Sequence, residues 1–238
     1  ENWTITPQLM AQRQEANGNF GYNPLIGDLA QARYKPEFSN DEWYQAALTV
    51  EGKVGMFDLV YSGSYLRRDV ETASDYSDYS YFYDTLFGYG AYWTDNLGVP
   101  VDPTQFINAT DHYKRQTHEF RISSPGDQPI RFVAGLFYQD QTHDIFQHYQ
   151  IADLGSLYSI SGKPGTTWLT SQQRDDTDKA VFGEVSWDIT PTLTLTGGLR
   201  FFEAENGLRG FFGFGAGYSS STGEAACFGP AITPQAPW

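Results

Sequence analysis

Alternating apolar and polar positions along this chain predict three pairs of antiparallel β-strands, each pair joined by a short turn. The predicted pairs cover residues 43–51 with 57–67, 116–124 with 130–141, and 179–188 with 193–202. A period of two places successive side chains on opposite faces of a sheet, so each strand has one apolar face. A seventh strand is predicted at 4–13, where Pro7 fits a position near a strand start or at a bulge.

Long polar connections separate the three pairs. They cover residues 14–41, 68–115, 142–178 and 203–238, and they are rich in Tyr, Asp and Gly. Tight turns at one end of the strands and long loops at the other are typical of transmembrane β-barrels. Strands of about 9–12 residues, when tilted, are long enough to cross an apolar layer of roughly 25 Å.

Composition agrees with an all-β chain. The 238 residues include 17 Phe, 16 Tyr and 24 Gly, a combination that favours strands and turns over helices. Mean hydropathy is -0.47, which is compatible with a membrane barrel because only every second strand residue faces lipid. No apolar run approaches the ~20 residues of a spanning helix.

The charge and the single cysteine narrow the function further. Twenty-nine acidic and 15 basic residues give a net charge of -14, which argues against a nucleic-acid partner. Cys227 alone builds neither a disulfide framework nor a zinc site within this chain. The chain begins at Glu1 without a visible signal peptide and ends in a predicted loop at Trp238, so we expect a fragment of a longer polypeptide.

Three stretches of sequence resemble the barrel of TonB-dependent receptors of Gram-negative outer membranes. Residues 120–126 (FRISSPG), followed by 132–138 (FVAGLFY), resemble one hairpin of that family. Residues 180–190 (AVFGEVSWDIT) and 194–201 (TLTGGLRF) resemble the two strands of another. The resemblance covers the six clearer strands and none of the loops.

The resemblance implies a large barrel of about 22 strands with a plug domain in its lumen. Residues 1–238 would then be a partial barrel domain in the cell outer membrane, in contact with its lipid, without the plug and the remaining strands. The implied function is binding and import of a scarce nutrient (siderophore-bound iron, haem, cobalamin or a glycan), energised by the TonB complex through the plug. No enzymatic activity and no cofactor are expected.

Tyrosines in the longest connection are the candidate ligand-binding residues. Tyrosine offers a flat apolar face and a hydroxyl, which suits aromatic or sugar-like ligands. The expected contacts, in a loop at the outer mouth, are Tyr76, Tyr79, Tyr81 and Tyr83. The alternative is a loop packed by its own aromatic side chains.

Four charged residues are predicted to face the lumen, because charges facing lipid carry a large free-energy cost. They are Glu119, Arg121, Glu184 and Arg200. We expect them to form a polar wall that pairs with itself or with a plug, rather than to contact substrate directly.

Metal ligation and catalysis have weaker support in the sequence. His143 and His148 are separated by five positions on an extended chain and therefore face opposite ways. The cluster of Asp175, Asp176 and Asp178 lacks the glycine spacing of a calcium loop. No metal site is expected, and no nucleophile-elbow or phosphate-loop pattern occurs.

Two other functions remain open from the sequence. A passive porin-like channel would have the same strand pattern but no N-terminal plug domain. A soluble β-protein that binds glycans through its tyrosines would pack its apolar strand faces against each other and would need no detergent.

Overall fold

The computed structural model describes residues 3–18, 21–85, 92–218 and 222–228, and these form one antiparallel seven-stranded sheet. The elements are β1 (Thr4–Asn17), β2 (Phe38–Val54), β3 (Phe57–Asp75), α1 (Ser77–Thr85), β4 (Gln105–Ser123), β5 (Ile130–Ile151), β6 (Thr166–Thr190), β7 (Leu193–Phe214) and α2 (Glu224–Phe228). Each strand pairs with the next along the chain, so the sheet is a meander. The predicted all-β class and the seven strands are confirmed. The termini Glu1 and Trp238 lie outside the described residues.

The strands are longer than predicted, and nearly all of the extra length lies at the long-loop end. β3 continues to Asp75 rather than ending at residue 67, and β4 begins at Gln105 rather than at residue 116. β6 begins at Thr166, 13 positions before its predicted start at residue 179. The backbone ladder continues past the apolar part of each strand because it pairs N–H and C=O groups whatever the side chains are.

The cross-strand register separates an apolar face from a polar face. Residues directly opposite each other lie on the same face. One row across the whole sheet contains Ile5, Val50, Tyr61, Phe120, Leu136, Val181 and Phe201. This row defines the apolar face, where Leu9 is 77 % exposed and Leu199 is 72 % exposed. The opposite side of the sheet is the polar face.

An abrupt change from aromatic to charged residues limits the apolar face towards the long-loop end. In four strands an aromatic side chain of this face is followed, two residues further towards the long loops, by a charged side chain on the same face. The pairs are Tyr44 with Glu42 in β2, Tyr65 with Arg67 in β3, Tyr138 with Asp140 in β5, and Phe201 with Glu203 in β7. We call Tyr44, Tyr65, Tyr138 and Phe201 the aromatic boundary.

The aromatic boundary is oblique to the hydrogen-bonded rows. The row through Val50, Tyr61, Leu136 and Phe201 serves as the reference. Tyr44 lies six residues from this row towards the long loops, Tyr65 lies four residues from it and Tyr138 lies two, whereas Phe201 lies in the row itself. The boundary therefore shifts by about one residue per strand. With a rise of about 3.3 Å per residue and about 4.8 Å between strands, this stagger corresponds to a strand tilt of roughly 40°.

The buried core lies at the long-loop end. One cluster contains Trp93, Ile151 and Leu154, and a second contains Ile160, Leu169 and Phe211. Both join strand ends to the segments between strands, so they close this end of the sheet. Among the described helices, none is long and apolar enough to cross a membrane.

We expect Gly135→Ala to destabilise the sheet. A Cβ at Gly135 would lie 2.4 Å from Cζ of Phe182 and 2.8 Å from the carbonyl oxygen of Phe120. Overpacking of this kind costs about 1–3 kcal/mol. Gly197→Ala is the matched control, since nothing lies within 4 Å of that position. Urea unfolding of both variants measures the difference, and equal stabilities would contradict the packing of Phe182 over Gly135.

Candidate functional site

The predicted ligand-binding tyrosines lie in and beside a helix rather than in an irregular loop. α1 carries Tyr79, Tyr81 and Tyr83, and Tyr76 immediately precedes it. Asp75 starts the helix, because its Oδ1 accepts a hydrogen bond of 2.9 Å from the backbone N–H of Ser77. The expectation of a loop is therefore corrected for this segment.

Three of the four tyrosines contact each other, and the fourth does not join them. The ring centroids of Tyr76 and Tyr79 are 4.9 Å apart, and those of Tyr79 and Tyr83 are 4.7 Å apart. Burial, together with a hydrogen bond with Tyr83, raises the pKa of Tyr79 above its usual value. Tyr81 instead stacks on Tyr34 at 5.1 Å, and its hydroxyl donates to Oδ1 of Asp102 at 3.1 Å.

The tyrosine cluster continues onto the polar face of the sheet. Tyr76 meets Tyr149 of β5 edge to face, with ring centroids 5.6 Å apart. The ring centroids of Tyr149 and Trp168 of β6 are 6.3 Å apart, and those of Trp168 and Phe212 of β7 are 6.1 Å apart. We call these five residues (Tyr76, Tyr79, Tyr149, Trp168 and Phe212) the aromatic platform.

Sequence reasoning missed the three strand residues of the aromatic platform. Tyr149 and Trp168 fall within the connection predicted at 142–178, and Phe212 falls within the one predicted at 203–238. Extending the period of two from β5 would have placed Tyr149 on the polar face, since it is an even number of residues from Arg131.

A buried polar network attaches the segment between β1 and β2 to the end of β3. Oδ2 of Asp75 accepts hydrogen bonds from the backbone N–H groups of Tyr34 and Lys35, the latter at 2.9 Å. Glu37 accepts from the N–H of Asp75 at 3.0 Å and pairs with Arg33 at 3.2 Å. Burial alone would raise the pKa of the Asp75 carboxyl. The hydrogen bonds that it accepts from Ser77, Lys35 and Tyr34 outweigh burial, so its pKa lies below the usual value.

The four charged residues predicted to face a lumen all lie on the polar face. Glu119 and Arg121 pair with each other at 2.9 Å, although they belong to the same strand. Arg200 lies 3.8 Å from Asp178, and its guanidinium lies 5.1 Å from the ring centre of Phe137. Glu184 is directly opposite Gly198 in the register. Three of these four charged residues therefore have an oppositely charged partner within the sheet.

The two histidines considered as metal ligands have separate partners. Nε2 of His143 lies 2.8 Å from Oδ1 of Asp111, and the His143 ring stacks on Tyr113. His148 contacts the hydroxyl of Thr166. Within the described ranges, no three His, Cys, Asp or Glu side chains converge as metal ligands would.

The three aspartates considered for calcium contact basic or amide side chains. Asp176 pairs with Arg174 at 3.4 Å and accepts from Asn206. Asp175 lies 3.7 Å from Arg209, whereas Asp178 lies near Arg200 as described above. Cys227, at the end of the described chain, is exposed and unpaired with another cysteine.

Comparison with known proteins shows a likeness in fold. No family model matches the chain, and neither does any curated protein. Among solved structures, the ferric yersiniabactin uptake receptor FyuA from Yersinia pestis superposes with a TM-score of 0.60 at 11 % identity. The match covers 87 % of this chain and 31 % of that receptor, so the chain spans about a third of the receptor's length. The seven-stranded meander is thus similar in fold to part of that receptor.

We expect Asp75→Asn to release the segment between β1 and β2. Because the pKa of Asp75 is lowered in the folded state, its carboxylate stabilises this region at pH values above the usual aspartate pKa of about 3.9. That stabilisation is lost as the pH falls through the lower pKa of the folded state. Hydrogen bonds to a charged group contribute about 1.5–3 kcal/mol, so amide exchange at Tyr34 and Lys35 should accelerate at neutral pH.

Hydrogen–deuterium exchange compares this variant with Asp127→Asn, a control in the exposed turn between β4 and β5. The control should leave exchange at Tyr34 and Lys35 unchanged. Unchanged exchange in Asp75→Asn as well would contradict the anchoring role.

Proposed function

We propose that this chain is part of the barrel wall of a TonB-dependent outer-membrane receptor that binds and imports a scarce nutrient. The observation that carries the proposal is the apolar face, whose aromatic boundary shifts by about one residue per strand. In a barrel whose strands are tilted by 35–45°, a level membrane edge crosses the hydrogen-bonded rows in this oblique way.

The dimensions of the apolar face fit a bilayer. From the short turns to the aromatic boundary, it spans nine residues in β3 (57–65), in β5 (130–138) and in β7 (193–201). Nine residues tilted by roughly 40° cover a height of about 20–25 Å, close to the apolar band of outer-membrane barrels. Amphipathic rings such as Tyr44 and Tyr65 favour the interface with lipid headgroups.

This assignment orients the chain. The short turns would face the periplasm, and the end with α1 would face the outside of the cell. The polar face, with Glu119, Arg121, Glu184 and Arg200, would line the lumen opposite a plug domain. Further strands would pair with the free edges of β1 and β7, each of which has one neighbour in the described sheet.

The mouth of the lumen is the proposed ligand-binding region. Tyr76 and Tyr79 are each 38 % exposed although they pack on one another, so they combine a packed position with an accessible ring face. Siderophore-bound iron, haem, cobalamin and glycans are the nutrient classes that the proposed family imports. Energy for import would come from the TonB complex through the plug.

We expect Val185→Arg to prevent stable membrane insertion. Val185 is 50 % exposed in the middle of the apolar face, where an arginine facing lipid costs about 2–4 kcal/mol. Ser186→Arg, one position along on the polar face, is the matched control and should insert normally. Heat-modifiable migration of the full-length protein from outer-membrane fractions measures insertion. Equal insertion of both variants would contradict the lipid-facing assignment.

We expect the purified full-length protein to give no steady conductance in planar lipid bilayers, because a plug domain would occupy the lumen. Deletion of the plug is the control and should produce open channels. Steady conductance of the intact protein would instead support the porin-like alternative.

A further inference from the structure

The aromatic platform has a spacing suited to a chain of rings. Consecutive centroids from Tyr79 through Tyr76, Tyr149 and Trp168 to Phe212 are 4.9, 5.6, 6.3 and 6.1 Å apart. These distances are comparable to the repeat of one sugar unit along an oligosaccharide. The C–H faces of pyranose rings pack on aromatic rings. Consecutive rings of the platform are inclined by 37°, 87°, 59° and 51°. A glycan that contacts them in succession would therefore turn along its length.

Three of the five members of the aromatic platform are exposed, and Tyr149 and Trp168 at its centre are half-buried. Phe212 is 57 % exposed, and Tyr76 and Tyr79 retain more than a third of their surface. Tyr149, Trp168 and Phe212 lie on three neighbouring strands of the polar face. The platform therefore runs across the sheet from α1 towards β7, along the proposed lumen side of the mouth.

The polar groups of the sheet beside Trp168 are neutral. The next row of the polar face pairs Gln147 with Thr170, and the indole N–H of Trp168 donates to Oγ1 of Thr170 at 3.0 Å. Two residues further, Gln172 occupies the same face. Thr170 is buried and its hydroxyl is engaged by Trp168 and Gln147. The amide groups of Gln147 and Gln172 both donate and accept, which matches the hydroxyl groups of a sugar. Arg174, four residues from Thr170, is paired with Asp176 at 3.4 Å.

The charge of the surrounding segments selects against anions. Between Tyr76 and Thr104 the sequence has no lysine or arginine, and it has four aspartates: Asp78, Asp84, Asp95 and Asp102. Asp78 pairs with Arg33 at 3.5 Å. The remaining negative charge disfavours anionic ligands such as catecholate or carboxylate chelates of iron and does not act on neutral ligands. Carboxylates also accept hydrogen bonds from sugar hydroxyls.

We propose that the aromatic platform binds a neutral oligosaccharide, and that the imported nutrient is therefore a glycan. This inference rests on the proposed uptake function, since it assigns the ligand class of the same mouth. It adds Tyr149, Trp168 and Phe212 to the ligand contacts. It excludes Tyr81 from the ligand contacts, because Tyr81 stacks on Tyr34 and donates a hydrogen bond to Asp102.

The test is binding of neutral oligosaccharides to the full-length protein in detergent. Maltoheptaose, cellohexaose, xylohexaose and mannohexaose are titrated in parallel with a ferric tris-catecholate, using tryptophan fluorescence and calorimetry. We expect at least one oligosaccharide to bind and the chelate not to bind. Loss of one stacked ring should weaken binding about tenfold, so Trp168→Ala and Phe212→Ala should each raise the Kd by that factor.

Phe202→Ala is the matched control, because Phe202 lies on the same face of β7 ten residues from Phe212. It should leave the Kd unchanged, and Trp168→Tyr should retain most of the affinity if Trp168→Ala fails to fold. Binding of the chelate alone, no oligosaccharide binding by heat-modifiable protein, or a Kd insensitive to Trp168 and Phe212 would each overturn the glycan assignment. Those results would contradict the glycan assignment but not the proposed membrane barrel. Normal insertion of Val185→Arg would contradict the proposed barrel.

Discussion

The register of the backbone hydrogen bonds between neighbouring strands is the constraint on which the rest of the structure depends. Six consecutive strand pairs hold one continuous register over most of their length, and two shifts occur, at Gln150 and near Thr190. Because side chains alternate, this register decides which residues share a face. It assembles the apolar row from Ile5 to Phe201, and it brings Tyr149, Trp168 and Phe212 from three separate strands to one place.

The two ends of the sheet are stabilised differently. At the short turns, a bidentate contact between Arg131 and Asp188 joins β5 to β6, with Nη2 2.8 Å from Oδ1. At the long-loop end, buried clusters around Trp93 and Leu169 hold the segments between strands. Between these ends the apolar face has little described protein against it, so much of its favourable burial would come from the membrane in the proposed function.

The sequence predicted the strands where the two faces differ most in polarity and failed where that contrast ends. The hairpin from residue 179 to 202 was found because Val181 and Val185 alternate with Glu184 and Ser186. Beyond Asp140 both faces carry polar side chains, so periodicity no longer distinguishes strand from loop. For this reason the sequence pattern predicts that β5 ends at residue 141. The helical conformation of the tyrosine segment depends on a cap at Asp75, whose acceptors are engaged by the distant Tyr34 and Lys35.

The oblique aromatic boundary also limits how the length of this sheet can change. Insertion of one residue into β3 between Tyr61 and Tyr65 would move every later side chain of the strand to the opposite face. Arg68 would then lie on the apolar face, which carries Tyr61. Insertion of two residues would keep each side chain on its face, but it would shift Tyr65 two residues further towards the long loops, out of line with the aromatic boundary of the neighbouring strands. Beyond the boundary no membrane edge has to be matched, so the penalty is limited to the strand ends that pack in the buried clusters, such as Leu169 and Phe211. Variation in strand length should therefore accumulate in the outer half, while the nine-residue segments retain a constant count.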